Sequence, residues 1–119
     1  MAYKQKGWSP FTVRTEDNTP ILKKKLGEGI KAEANNDGTI FIDKSVKKGT
    51  SEYKKVVNHE LEHMNQMESG RADYNDNSVT WEGKKYPRKD GHINYKGKWY
   101  IEGHKDLPWE AEAIKAETK

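Results

Sequence analysis

His59-Glu60-Leu61-Glu62-His63 lies inside the stretch that runs from Gly49-Thr50-Ser51-Glu52 to Ser69-Gly70, and its reading decides the fold. Thr50 or Ser51 can accept bonds from the free amides of a first helical turn, Glu52 suits the positive end of the dipole, and Ser69-Gly70 stops the helix. A helix over 51–69 is therefore expected. At about 100° per residue from His59, Val56, Glu60, His63 and Met67 fall within about 0–100°. Tyr53, Val57, Leu61 and Met64 form a core face at about 120–200°. Lys54, Lys55, Asn58, Glu62, Asn65 and Gln66 take the remaining arc, which reads as solvent-facing. The motif thus has a sector of its own. Two histidines at i and i+4 can converge on one ion, and a glutamate between them can reach a water on it. With four His and twelve Glu in 119 residues, random placement yields the pattern about once in a hundred such chains.

The composition restricts what such an ion can be held by. The chain contains no cysteine, so neither a disulfide nor a thiolate site is available, and ligands must be imidazoles and carboxylates. Hydrophobic residues make up 32%, charged residues 34%, and the mean hydropathy is −1.18. Twelve aromatics and a net charge of only +3 nevertheless argue for a folded chain. The length fits a single domain with a small core, which benefits from a staple. No apolar leader is visible after Met1, and no run approaches the roughly 20 apolar residues of a membrane span. A soluble protein of the cytoplasm, or one associated with a virion, is the expectation. Basic and acidic residues number 22 and 19, a mixed surface that gives no strong nucleic-acid signal.

Around the helix the rest of the chain reads as α+β. Residues 1–20 form an extended arm, with Phe11 and Val13 alternating with polar neighbours and Pro10 and Pro20 excluding a helix. Pro20-Ile21-Leu22-Lys23-Lys24-Lys25-Leu26-Gly27 fits a short helix capped by Thr19 or, nearly as well, a strand, with the lysines as a solvated face. Residues 30–43 carry a hairpin signature: Ile30, Ala32 and Ala34 alternate with charged residues, Asn35-Asn36-Asp37-Gly38 turns, and Thr39-Ile40-Phe41-Ile42-Asp43 is the most strand-like run. Between 79 and 103, Trp81-Glu82-Gly83-Lys84-Lys85-Tyr86 is echoed by Tyr95-Lys96-Gly97-Lys98-Trp99-Tyr100, which predicts two tight hairpins. Their aromatics serve as cross-strand pairs, or as a stacking surface for a nucleic-acid strand. The cross-strand reading is the simpler. Asp106-Leu107-Pro108-Trp109-Glu110 opens a C-terminal helix over 107–117, with Asp106 or Leu107 at its cap.

A catalytic zinc site needs a third protein ligand besides two His. Candidates are His92, His104, Glu82, Glu110 and Glu112. On the C-terminal helix Ile114 falls about 40° from Glu110 and Ala113 about 60° to the other side, whereas Glu112 falls about 200° away beside Lys115. Glu110 is then a carboxylate on the apolar, inward face, where a cation is a fitting partner. Glu82, in a hairpin, is expected to be exposed. Glu110 is the preferred ligand.

The metzincin extension is absent, because Gln66 and Ser69 stand where that pattern has Gly and His. The chain instead resembles the gluzincin branch of zinc metallopeptidases, in which a glutamate on a downstream helix completes the site. Glu110-Ala111-Glu112-Ala113 matches that family's E-x-x-A, while Ile114 stands where Asp or Asn is usual. In layout the chain is similar to the minigluzincins over about residues 30–70 and 106–117, with a hint of a phage origin. The resemblance implies a small antiparallel sheet, an active-site helix and a glutamate helix. It implies one Zn²⁺ on His59, His63 and Glu110, with Glu60 as the general base. Thr39, Ile40, Phe41, Ile42 and Asp43 would be the sheet edge on which an extended peptide lies. Tyr74, His92, Tyr95, Tyr100 and His104 are the candidates for an additional oxyanion donor.

The expected partner is therefore a peptide or protein substrate, with membrane and nucleic acid disfavoured. Two rivals are a non-catalytic zinc-stapled structural or interaction protein, which would not require Glu60, and a nucleic-acid-binding module built on the hairpins.

Overall fold

Thr50 caps the motif helix: its Oγ1 accepts the Tyr53 amide at 3.1 Å, and the helix, α1, runs Ser51–Glu68. The computed structural model describes residues 13–35 and 37–118. What the sequence suggests for residues 1–12, Pro10 and Phe11 included, and for Asn36 lies outside the described residues. The fold is α+β. Strands β1 (Ile21–Lys24), β2 (Ala32–Ala34) and β3 (Ile40–Asp43) precede α1, and β4 (Ala72–Tyr74), β5 (Ser78–Trp81), β6 (Lys84–Lys89), β7 (His92–Tyr95) and β8 (Lys98–Ile101) follow it. Helix α2 spans Pro108–Ala116. Two compact units can be drawn, Gln66–Ala111 on one hand and Val13–Asn65 with the residues from Glu112 onward on the other.

In the unit that holds most of α1, the predicted 30–43 hairpin forms: β2 and β3 pair antiparallel, Ala32 opposite Ile42 and Ala34 opposite Ile40. The choice between helix and strand after Pro20 falls to strand, since β1 pairs parallel with β3, Ile21 opposite Ile40. The sheet is therefore mixed rather than antiparallel, in the order β1-β3-β2. This corrects the reading of Thr39–Asp43 as a free edge. Ile40–Asp43 is the central strand, bonded on both sides, and Ile40 and Ile42 are fully buried. The edges are the lysine-bearing β1 and the short β2, as expected if charge and brevity protect a sheet edge. The lysines stay exposed, with Lys23 Nζ donating to the Val46 carbonyl and Lys24 Nζ 4.6 Å from the Phe41 ring centre. The part of the N-terminal arm that is described is not wholly extended: Glu16–Asn18 form a 3₁₀ turn, and Asn18 Oδ1 accepts the Thr15 amide at 2.9 Å.

At the end of β3, Asp43 ties the turn that leads away. Its carboxylate accepts the Ser45 hydroxyl at 2.5 Å, the Ser45 amide at 3.0 Å and the Leu26 amide at 2.8 Å. These bonds, the Ser45 hydroxyl foremost, lower its pKa from 3.8 to about 2. A depressed folded-state pKa gives stability that is present above the unfolded value and disappears as pH falls through the folded one. Asp43→Asn is thus expected to flatten the fall of Tm with acidification between about pH 4 and pH 2. Thermal melts of both proteins across that range check it. A parallel fall in the two would remove Asp43 from the acid limb.

The other unit is an antiparallel meander, β4-β5-β6-β7-β8. The two predicted hairpins are there, turning at Glu82-Gly83 and Lys96-Gly97, and a third that the repeat does not reveal turns at Asp90-Gly91. Each turn has positive φ at both central residues, for example 53° at Lys96 and 89° at Gly97, which is the type I′ geometry that matches strand twist. One face of the sheet closes over a core of Ala72, Val79, Trp81, Ile93, Leu107 and Trp109, with Tyr74, Tyr86, Tyr95 and Tyr100 packed against it. The repeat's aromatics are therefore mostly core. Trp99, 47% exposed, is the exception. The structural reading of the hairpins stands, since their other aromatics pack on the core of the sheet. Among the described residues no helix is long and apolar enough to cross a membrane.

Candidate metal centre

The core face of α1 is the expected one: Tyr53, Val57, Leu61 and Met64 are buried. In the motif sector Val56, His59 and Glu60 are half-buried, and His63 is 8% exposed. The polar arc departs from expectation at Gln66, which is 1% exposed. Glu62 and Asn65 on the same arc are half-buried, while Lys54 and Lys55 are exposed. The Asn65 Oδ1 accepts the Arg14 amide at 2.6 Å. The arc is polar because its residues meet polar partners, and water is only one of them.

Helix α2 starts where Pro108 and the Leu107 carbonyl place it. That carbonyl accepts the Glu110 and Ala111 amides at 3.0 and 2.8 Å, so Leu107 is the cap residue. The buried face is Trp109, Ala113 and Ala116. Ile114, expected to face inward, is 37% exposed, which puts half-buried Glu110 at the border of the apolar face rather than its middle. A border position allows a carboxylate to reach a cation while its neighbours stay dry.

His59, His63 and Glu110 each offer a ligand atom, and the three atoms lie within 4.8 Å of one another. The histidine pair is closer: Nε2 to Nε2 is 3.2 Å. Two nitrogens bound to one tetrahedral ion at 2.0–2.1 Å stand about 3.3–3.4 Å apart, so the pair is already spaced for one ion. The tautomer agrees. His59 Nδ1 lies 2.8 Å from Glu117 Oε2. A carboxylate only accepts, so Nδ1 carries the proton and donates, and when the ring is neutral its lone pair is on Nε2. Two imidazoles and a carboxylate are a donor set suited to Zn²⁺ and to other first-row divalent ions. The residues fit a metal.

Of the other candidates for third ligand, none joins this group among the described residues. Glu82 pairs with Arg71 at 2.7 Å on the surface, as its hairpin position implies. His92 is exposed and its Nδ1 donates to the Asp90 carbonyl at 2.9 Å. His104 Nδ1 accepts the Asp106 amide at 3.0 Å, with its ring 5.0 Å from that of Tyr100. Glu112 is half-buried. Among the oxyanion candidates, Tyr95 and Tyr100 pack in the aromatic core, and Tyr95 stacks edge-on against Trp109 at 5.9 Å. The Tyr74 hydroxyl donates to Gln66 Oε1 at 2.8 Å.

Two residues that matter were not marked by the motif. Glu117 places a carboxylate oxygen 2.8 Å from His59 Nδ1. It lies seven residues after Glu110, just past the end of α2 at Ala116, and a spacing close to two helical turns is the signal that could have found it. Gln66 lies three residues after His63, where nothing in the sequence distinguishes it from a surface residue. No protein-family model matches the chain, and no curated protein and no solved structure matches it. Fold and site together define an α+β protein with a candidate three-residue metal centre, His59, His63 and Glu110.

Proposed function

We propose that the protein is a zinc-dependent peptidase that cleaves extended polypeptides, with Glu60 as its general base. The observation that supports this most is the convergence of His59, His63 and Glu110 around a helix that also carries Glu60 one residue after its first histidine. Zinc held there would supply Lewis acidity, bringing the pKa of a water toward neutrality and polarising a carbonyl. The chain's own residues do the rest. His59 and His63 would each offer an imidazole nitrogen, and the carboxylate of Glu117 accepts from His59 Nδ1, which leaves Nε2 as the ligand atom of that ring. Glu60 takes the proton of the attacking water onto its carboxylate and delivers it to the amine that leaves. Because Ile40–Asp43 is bonded on both sides, an extended substrate that adds as a strand has β1 or β2 as its partner, through main-chain bonds.

The reading is tested by measuring zinc stoichiometry and cleavage of an unfolded protein for the wild type and Glu110→Ala. One zinc per chain with cleavage is expected for the wild type. Glu110→Ala is expected to bind zinc at least tenfold more weakly and to lose cleavage. Zinc without cleavage across peptide libraries would turn the conclusion to a zinc-stapled structural or interaction protein. Undiminished zinc affinity in Glu110→Ala would remove Glu110 from the ligand set.

A further inference from the structure

We propose that Gln66 is a positioning residue for the metal centre, setting where Glu110 stands through a buried hydrogen-bond chain from Tyr74 to the backbone of α2. Gln66 is 1% exposed, the most deeply buried polar side chain among those described. Its Nε2 donates to the Trp109 carbonyl at 3.0 Å, and its Oε1 accepts the Tyr74 hydroxyl at 2.8 Å. The acceptor is the backbone of the residue that immediately precedes Glu110. All four residues, Gln66, Tyr74, Trp109 and Glu110, belong to the same unit.

The chemistry favours a geometric role. A buried position of this volume is filled at less desolvation cost by Leu or Met, so an amide there needs partners on both sides, and it has them. The Trp109 carbonyl has two lone pairs, one for the helical bond within α2 and one for Gln66. That second bond fixes the first turn of α2 along and around its axis, while the rings of Trp81 and Tyr95, each 5.9 Å from the Trp109 ring, hold its side chain. Glu110 is one residue on. On the other side Gln66 is part of α1 and lies one turn from His63, on a rigid scaffold. Gln66 therefore holds the turn that carries Glu110 from a position outside the three-residue group.

This inference rests on the metal reading, and the experiment separates the two. Gln66→Met keeps the volume and removes the amide; Tyr74→Phe leaves Gln66 in place and removes its second partner. Zinc affinity is measured by chelator competition, and the visible spectrum of the cobalt-loaded proteins reports ligand geometry. Far-UV circular dichroism establishes that each variant is folded. Gln66→Met is expected to weaken zinc about 10–100-fold, the usual consequence of losing an outer-shell partner, and to change the cobalt spectrum. Tyr74→Phe is expected to weaken zinc in the same direction by less. In a Glu110→Ala background, Gln66→Met is expected to change zinc affinity by less than about twofold, because the ligand it places is gone. Wild-type affinity in Gln66→Met, or a loss of equal size with and without Glu110, would overturn the positioning role. Should Gln66→Met fail to fold, unchanged zinc affinity in Tyr74→Phe would overturn it instead. A wild type that takes up no zinc would overturn the metal reading itself, and this role with it.

Discussion

Glu60→Gln is expected to bind zinc within about twofold of the wild type and to cleave an unfolded protein at about 10²–10⁴-fold lower rate, the range that a positioned acid–base group contributes. Glutamine keeps the size and polarity of this half-buried side chain, so the packing of α1 is preserved. It removes only the capacity to take up a proton. Zinc affinity should hold because Glu60 is not in the three-residue group. Glu62→Gln is the matched control. It is a second half-buried glutamate of the same helix, two residues on, and about 200° round the axis. It should retain near-wild-type cleavage. Single-turnover rates at saturating peptide, with zinc content measured on the same samples, separate loss of chemistry from loss of metal. Comparable cleavage by Glu60→Gln and the wild type would end the role of Glu60 as base. A loss of equal size in Glu62→Gln would mean that the assay reads general damage to α1.

The residues that make the centre could be read from the sequence, and those that orient it could not. His59 and His63 fall one turn apart on any α-helix, and the cap and stop of that helix are written at Thr50 and Gly70. Glu110 emerged from a simple wheel even though one premise, an inward Ile114, proved wrong. Ala113, which is fully buried, is sufficient to orient the helix. The failures have a common cause. A wheel sorts side chains by polarity, so it puts Gln66 among the solvent-facing residues, although its amide is matched by a tyrosine hydroxyl just beyond the helix and a backbone carbonyl far along the chain. Strand pairing is equally non-local. The edge role of Thr39–Asp43 is what the resemblance implies, yet the apolar character of Ile40-Phe41-Ile42 is what a central strand requires. The neighbouring β1, with its lysines, carries the marks of an edge.

Trp109→Ala is expected to remove about 3–5 kcal/mol, a large share of the roughly 5–15 kcal/mol that holds a domain of this kind together. Trp109 is 1% exposed, and its ring lies 5.9 Å from Trp81, 6.0 Å from Tyr86 and 5.9 Å from Tyr95. Removal therefore opens a cavity among three aromatic rings rather than at the margin of the core. The sheet that surrounds it is tied by type I′ turns and cannot close the space without breaking register. Tm should fall by roughly 10–20 °C. Metal then answers a second question. Zinc at 100 times its Kd stabilises the form that binds it by about 2.7 kcal/mol. In the wild type, adding it to chelator-treated protein should raise Tm by a corresponding amount. In Trp109→Ala the rise at the same zinc concentration should be smaller, because the indole anchors the residue next to Glu110 and its loss weakens the site. Thermal melts of both proteins with chelator and with excess zinc decide it. Equal zinc-induced shifts would mean that Glu110 holds its place without the indole, leaving the Gln66 bond to the Trp109 carbonyl as the contact that fixes it.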